Sequence, residues 1–236
     1  KLISLTFVLP VLVAIFGLIG IYGSSGWLAK FANLLGIPWQ GHIYGLSGIL
    51  IAHLFFNIPL AAQLFLQSLQ SIPYQQRQLA AQLNLQGWQF VKLVEWPVFR
   101  QQCFPTFSLI FMLCFTSFTV VLTLGGGPQY TTLETAIYQA ILFEFDLPKA
   151  ALFAMLQFVF CLVLFSLTSR FSPSNQNRLS NRNPWFEKPK SAVKIFHVFV
   201  LLVFVFFLFS PVLNILISAL NSPSLLTVWH NSQLWS

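Results

Sequence analysis

Residues 79–97 read LAAQLNLQGWQFVKLVEWP. Gln and Asn break up the apolar residues, Gly87 and Trp88 stand in the middle, and Pro97 closes the stretch. On both sides the chain is almost continuously apolar. That contrast sets the first question: where the apolar runs lie, and why a polar, patterned segment interrupts them.

The chain has 236 residues, of which 56% are hydrophobic and 7% charged, and its mean hydropathy is +0.75. Soluble domains carry about 25% charged residues. So few charges could not cover the surface of a soluble domain of this size, so the composition points to a membrane protein. Phe occurs 27 times, which suits lipid-facing helices. A bilayer core of about 30 Å needs about 20 apolar residues in helical form. Five segments meet this: 2–22, 44–69, 104–124, 150–168 and 192–220, with Pro59 inside the second and Pro211 inside the fifth. The runs are continuous rather than alternating, which disfavours a barrel. Neighbouring groups can satisfy the carbonyl that an internal Pro frees. The expected fold is all-α, a polytopic membrane helix bundle with about five transmembrane helices.

The net charge of +7 matters less than its placement. Loop 70–103 carries Arg77, Lys92 and Arg100 against Glu95. Loop 169–191 carries Arg170, Arg178, Arg182, Lys188 and Lys190 against Glu187. Loop 23–43 holds only Lys30, and loop 125–149 holds Glu134, Glu144 and Asp146 against Lys149. Basic residues fall on alternate loops. The positive-inside rule then puts Lys1 and loops 70–103 and 169–191 in the cytoplasm, and the other loops and the C-terminal tail outside. This pattern explains the charge without a nucleic-acid partner. The partner it implies is the lipid bilayer.

The opening stretch is therefore expected on the cytoplasmic face. Pro73 can open a helix in its first turn. Leu79 and Leu83 share a face with Ala80 beside them, and Gln75, Gln78, Gln82 and Gln86 cover most of the rest. Gly87 permits a bend. A second short helix is expected over 88–95, with Trp88, Val91 and Val94 on one side and Pro97 ending it. One side of this hairpin packs on the bundle and the other is offered to a partner. By periodicity alone an amphipathic hairpin capping the bundle explains it equally well.

The spacing resembles the cytoplasmic signature of bacterial ABC importer permeases: EAA, three residues, Gly, and after about ten more Ile-x-Leu-Pro. Aligned on Pro97, Gln78 takes the Glu place, Leu79 and Ala80 the Ala places, and Asn84 the Gly place. Val94, Trp96 and Pro97 take the Ile-x-Leu-Pro places. The resemblance implies that Gln78, Leu79, Ala80, Leu83, Asn84, Gly87, Trp88 and Pro97 couple the chain to an ATP-binding cassette subunit. In such importers that subunit is cytoplasmic and acts as a homodimer. Gln78 offers an amide where the family offers a carboxylate, so a hydrogen bond there lacks one source of charge assistance.

Residues 119–138 read TVVLTLGGGPQYTTLETAIY. Gly125, Gly126, Gly127 and Pro128 should end the third helix. Thr131 and Glu134 have capping-box spacing for an outer helix, and Ile137, Ile141 and Phe145 repeat at four-residue intervals. The glycines lack the GK[ST] of a phosphate loop, and a flexible turn accounts for them. Together with EWP at 95–97, this block is similar to the permeases of bacterial thiamine importers and, more loosely, of iron(III) importers. Those relatives fuse two membrane halves in one chain. The resemblance implies a first permease domain over 1–170, a cytoplasmic linker over 171–191 and the start of a second transmembrane domain over 192–236. It further implies a bacterial inner-membrane location and a periplasmic substrate-binding protein that delivers the cargo.

No Walker motif or catalytic dyad is present, so ATP hydrolysis falls to a partner and no cofactor is expected. Cys103, Cys114 and Cys161 form no metal or redox spacing, and His42, His53, His197 and His230 are scattered. Intramembrane polar groups are the candidates for a substrate path: His53 and Asn57, four residues apart, then Thr116 and Ser117. Gln63 and Gln157 also qualify, although helix–helix hydrogen bonds are the commoner use of such groups. Glu134, Glu144 and Asp146 could draw a cation to the outer mouth, or simply form a solvated loop. A channel or membrane anchor without an ATPase is the remaining class, and no filter motif supports it.

Overall fold

The computed structural model describes residues 9–38, 41, 43–85, 87–127, 129–171 and 191–220. Several expectations lie outside these residues: Lys1 and the start of the first run, His42, Gln86, Pro128, nearly all of linker 171–191, and the tail with His230. Helix is the regular structure throughout the described residues. In chain order the helices are α1 (Val11–Tyr22), α2 (Trp27–Leu34), α3 (Leu46–Gln70), α4 (Tyr74–Gln82) and α5 (Trp88–Phe90). A π-helical turn (Val91–Glu95) follows, then α6 (Trp96–Phe115), α7 (Phe118–Leu124), α8 (Leu133–Leu142), α9 (Leu147–Phe171) and α10 (Ser191–Leu220). Five stretches are long and apolar enough to cross a membrane: Val11–Leu34, Leu46–Gln70, Trp88–Phe115, Leu147–Arg170 and His197–Leu220.

Three details depart from the sequence expectation. The first loop contains α2, because WLAKFANL is helix-forming throughout and Gly26 lets it start. The third run is not one helix over 104–124. It begins at Trp88, stops at Phe115 and resumes at Phe118. Pro97 does not end a short helix either, because Trp88 to Phe115 is continuous. A Pro inside a helix lacks its N–H and presses on the carbonyl four residues earlier, here Leu93. The five-residue π turn lies directly before α6, and its wider register loosens the ladder where the Pro ring needs room.

The chain divides into two compact units. Unit one holds residues up to Phe55, residues Thr119–Tyr130 and residues from Ser191 onward. Its core is Ile15, Leu18, Ile43, Ala52, Phe55 and Leu124, all nearly inaccessible. Phe55 meets Phe207 edge-on at 5.8 Å. The N–H of Gly45 donates to the carbonyl of Leu124 at 2.6 Å, which fastens the entry of α3 to the end of α7. Gly126 and Gly127 follow at φ 69° and 123°, a region that glycine enters at little cost. The glycine run thus ends the helix, as expected.

α1 and α10 pack closely because small residues let their backbones approach. A Cβ on Gly17 would lie 2.6 Å from the carbonyl oxygen of Pro211, and one on Gly20 would run into the side-chain amide of Asn214. Asn214 Nδ2 donates to the Gly20 carbonyl at 3.2 Å. Gly17→Leu should therefore destabilise this seam by about 1–3 kcal/mol, the usual cost of overpacking. Thermal melting of the detergent-purified protein checks this. An unchanged melting temperature would mean that the two helices do not meet there.

Unit two holds residues Phe56–Phe118 and residues from Thr131 to Lys190. Here α9 packs on α6 and α8. Phe160 lies 6.0 Å from Phe111 and 5.1 Å from Phe115. Thr168 Oγ1 donates to Ser108 Oγ at 2.6 Å, with Ser108 buried. The patterned stretch and most of the candidate polar residues belong to this unit.

Candidate functional site

Pro73 stands at the N-cap of α4, one position earlier than its expected place in the first turn, with φ −58° and ψ 143°. Ile72 before it is buried. Arg77 Nη2 donates to the carbonyl of Leu69 at 2.8 Å, and Ser71 Oγ donates to Ser68 at 2.7 Å. Both acceptors lie in the last turn of α3, where carbonyls lack helical partners and the helix dipole favours a cation. α4 is thereby tied to the end of a membrane helix by a charged hydrogen bond.

The faces of α4 are then distinct. Ala80 is 3% exposed, while Leu79 is 57% and Leu83 64% exposed. The small residue packs inward and the two leucines stand out. Gln75, Gln78 and Gln82 are also exposed. Leu79 and Leu83 therefore form the exposed side of α4, and Ala80 the buried one.

α4 ends in a Schellman motif. The N–H of Asn84 donates to Ala81 and that of Leu85 to Ala80, at 3.0 and 2.9 Å, with Asn84 at φ 50°. Left-handed backbone after a helix end is usually Gly and sometimes Asn. The Asn at the signature's Gly place is thus a residue that can adopt the required geometry. Asn84→Gly should be tolerated or mildly stabilising, because Gly enters left-handed backbone without a Cβ penalty. Asn84→Val should cost about 1–2 kcal/mol, because a β-branched residue is disfavoured there. Thermal melting of both variants tests this, and equal melting temperatures would contradict it.

Gly87 follows at φ 56°, ψ −124°, a combination open to Gly and strained for any side chain. It starts α5, with Trp88 77% exposed. Leu79, Leu83 and Leu85 on one side and Leu93, Val94 and Pro97 on the other line a cavity of about 370 Å³. Of the coupling residues expected from the sequence, Leu79, Ala80, Leu83 and Pro97 line this groove, whereas Gln78, Asn84, Gly87 and Trp88 are not among its lining residues. Behind it, Phe99 stacks on Phe65 of α3 at 4.3 Å, and Trp96 stacks on Phe99 at 5.8 Å. The groove is thus joined to α3 through Arg77 and through the Phe65–Phe99 stack.

The candidate path residues are spread along the membrane helices. His53 is half-buried on α3 in unit one, and Asn57 follows it in unit two. Asn57 Nδ2 donates to Cys114 Sγ at 3.2 Å. Thr116 and Ser117 occupy the break between α6 and α7, and their hydroxyls bond back to the carbonyls of Met112 and Cys114 at 2.9 and 2.7 Å. Cys114 was missed as a partner, since a lone Cys in an apolar run reads as a small hydrophobe.

The outer loop also differs in detail. The N-cap of α8 is Thr132, not Thr131, and its N–H donates to Thr135 Oγ1 at 2.8 Å. Glu134 is taken up elsewhere: Gln157 Nε2, on a residue 8% exposed, donates to Glu134 Oε1 at 2.6 Å. Glu144 pairs with Lys149 at 2.6 Å. Asp146 Oδ1 accepts from the Lys149 N–H at 2.9 Å at the start of α9. All three carboxylates thus have partners within the protein: Glu144 and Asp146 at the exposed start of α9, Glu134 against a buried amide. Among the described residues no group of three or more His, Cys, Asp or Glu could hold a metal ion.

The chain matches the family model described as binding-protein-dependent transport system inner membrane component over residues 2–177. It is 92% identical over 235 residues to the thiamine transport system permease protein ThiP of Haemophilus influenzae, covering 100% of this chain and 44% of that protein. The protein of the same name in Escherichia coli is 54% identical over 172 residues, 73% of this chain and 32% of that protein. The one in Brucella abortus is 40% identical over 239 residues, 98% of this chain and 44% of that protein. The chain thus spans less than half the length of these relatives. No solved structure matches it.

Proposed function

The chain belongs to the family of binding-protein-dependent transport system inner membrane components, and from that premise we propose that it is the permease part of an ATP-driven importer of thiamine. The identity of 92% along the whole chain to a permease named for thiamine transport carries this proposal. Thiamine rather than iron(III) is the cargo for the same reason. The lengths of the relatives support reading residues 192–236 as the start of a second membrane domain after a linker over 171–191.

A periplasmic binding protein delivers the cargo to the outer loops. A cytoplasmic ATP-binding homodimer closes on the other side, and the loop over 74–97 carries that closure to the helices, which open the path alternately to each side. The groove between α4 and the π turn supports the coupling role: Leu79 and Leu83 offer apolar surface, and Arg77 fixes α4 to α3. Orientation follows from the basic loops, with residues 70–103 and 169–191 in the cytoplasm. For the path we propose His53, Asn57, Thr116 and Ser117. A break in a membrane helix is tolerated where backbone is buried in protein or lines a cavity, and Asn57 is bonded one turn from that break.

Uptake of labelled thiamine and iron(III) by cells lacking the chromosomal permease tests the cargo. The full-length gene should restore thiamine uptake alone. Restored iron uptake without thiamine uptake would refute the assignment.

A further inference from the structure

A second cavity lies at the cytoplasmic end of α6, of about 390 Å³ and lined by Pro97, Arg100, Gln101 and Phe104. It shares Pro97 and Gln101 with the groove facing α4 but is lined by none of the α4 leucines. Its chemistry is two-ended, with a guanidinium and an amide at one end and a phenyl ring at the other. Beyond Phe104, one turn on, Phe107 is exposed, as expected of a lipid-facing position. In the other direction, Trp96 and Lys92 are exposed and lie four and eight residues before Arg100, so the three fall near one face. A Trp beside basic residues just outside an apolar run is the pattern of a membrane interface. One helical turn rises about 5.4 Å, so Arg100 sits one turn outside the apolar run that starts at Phe104.

We propose that this cavity binds the headgroup of an anionic phospholipid. Arg100 and Gln101 hold the phosphate, Lys92 adds positive charge, and Phe104 receives the start of an acyl chain. Arg100 suits the role because its planar fork can donate two parallel hydrogen bonds to phosphate oxygens. Because the groove shares Pro97 and Gln101 with this cavity, a bound headgroup would brace the helix on which the coupling surface is built. The occupant is lipid rather than a cytosolic protein, because none of the α4 leucines lines this cavity and its Phe104 end is followed one turn on by the exposed Phe107.

The test is native mass spectrometry of the full-length permease with its ATP-binding partner, purified with equal phosphatidylglycerol and phosphatidylcholine. We expect phosphatidylglycerol adducts to be favoured at least fivefold, with the preference largely lost in Arg100→Gln and largely kept in Arg100→Lys. Excess inorganic phosphate should leave the adducts in place. Equal retention of the two lipids by the wild-type protein would overturn the proposal, as would an unchanged preference in Arg100→Gln or displacement by inorganic phosphate. Loss of the ATP-binding partner from Arg100→Gln with lipid retention intact would assign the face to protein docking and also overturn it.

Discussion

With Leu79 and Leu83 both replaced by Asp, the permease is expected to insert and fold but to lose its ATP-binding partner, and thiamine uptake should fall about 30-fold or more. The two leucines are more than half exposed, so their loss removes little internal packing. They are therefore available as anchors for a partner. An anchor in an interface is worth about 2 kcal/mol or more, and about 1.4 kcal/mol is a tenfold change in affinity. Buried carboxylates in the joint would add a desolvation penalty. Co-purification from detergent reads the first effect and uptake the second. Normal co-purification of the double variant would remove the groove from the coupling role. Ala80→Glu is a poorer probe, because Ala80 is buried and its replacement would disturb α4 itself.

The second large effect is expected from Gln157→Leu. Gln157 is buried on α9 and donates to the Glu134 carboxylate of α8. Leu would fill the space yet leave that oxygen without its donor. An unsatisfied, partly buried polar group costs about 1–3 kcal/mol, more when charged. The detergent melting temperature should fall, and Glu134→Gln in the same chain should recover part of the loss by removing the charge. If the single and double variants melt like the wild type, α8 is not held by this pair.

The membrane class and the five crossings could be read from the sequence because lipid imposes a composition, and long apolar runs carry that requirement on their face. The α4 helix and the bend after it were legible in outline, since Pro73, Gly87 and the leucine spacing each have a local conformational consequence, but the second short helix was not, because α5 runs on into α6. Asn84 was legible only beside the family signature. Its neighbours say nothing of its φ, but a Gly place says that the backbone turns left-handed there. The break at Thr116–Ser117 was hidden. Thr and Ser return their hydroxyls to carbonyls of the preceding turn, so the end of α6 leaves no polar signal in an otherwise apolar run. The π turn before Pro97 was hidden for a similar reason: Pro marks a disturbance of the helix ladder but does not say whether the helix stops or widens. The Gln157–Glu134 and Asn57–Cys114 contacts join residues 23 and 57 positions apart, and no local pattern reports such pairings.

Proteoliposomes holding the full-length permease and its ATP-binding subunit, with the binding protein and labelled thiamine on the outer face and ATP at the coupling-loop face, measure the central claim most directly. Thiamine should accumulate against its gradient only when ATP is hydrolysed, and the Leu79→Asp, Leu83→Asp variant should fail to accumulate it. Accumulation that persists without ATP hydrolysis, or that is undiminished in that variant, would contradict a permease driven through the 74–97 loop.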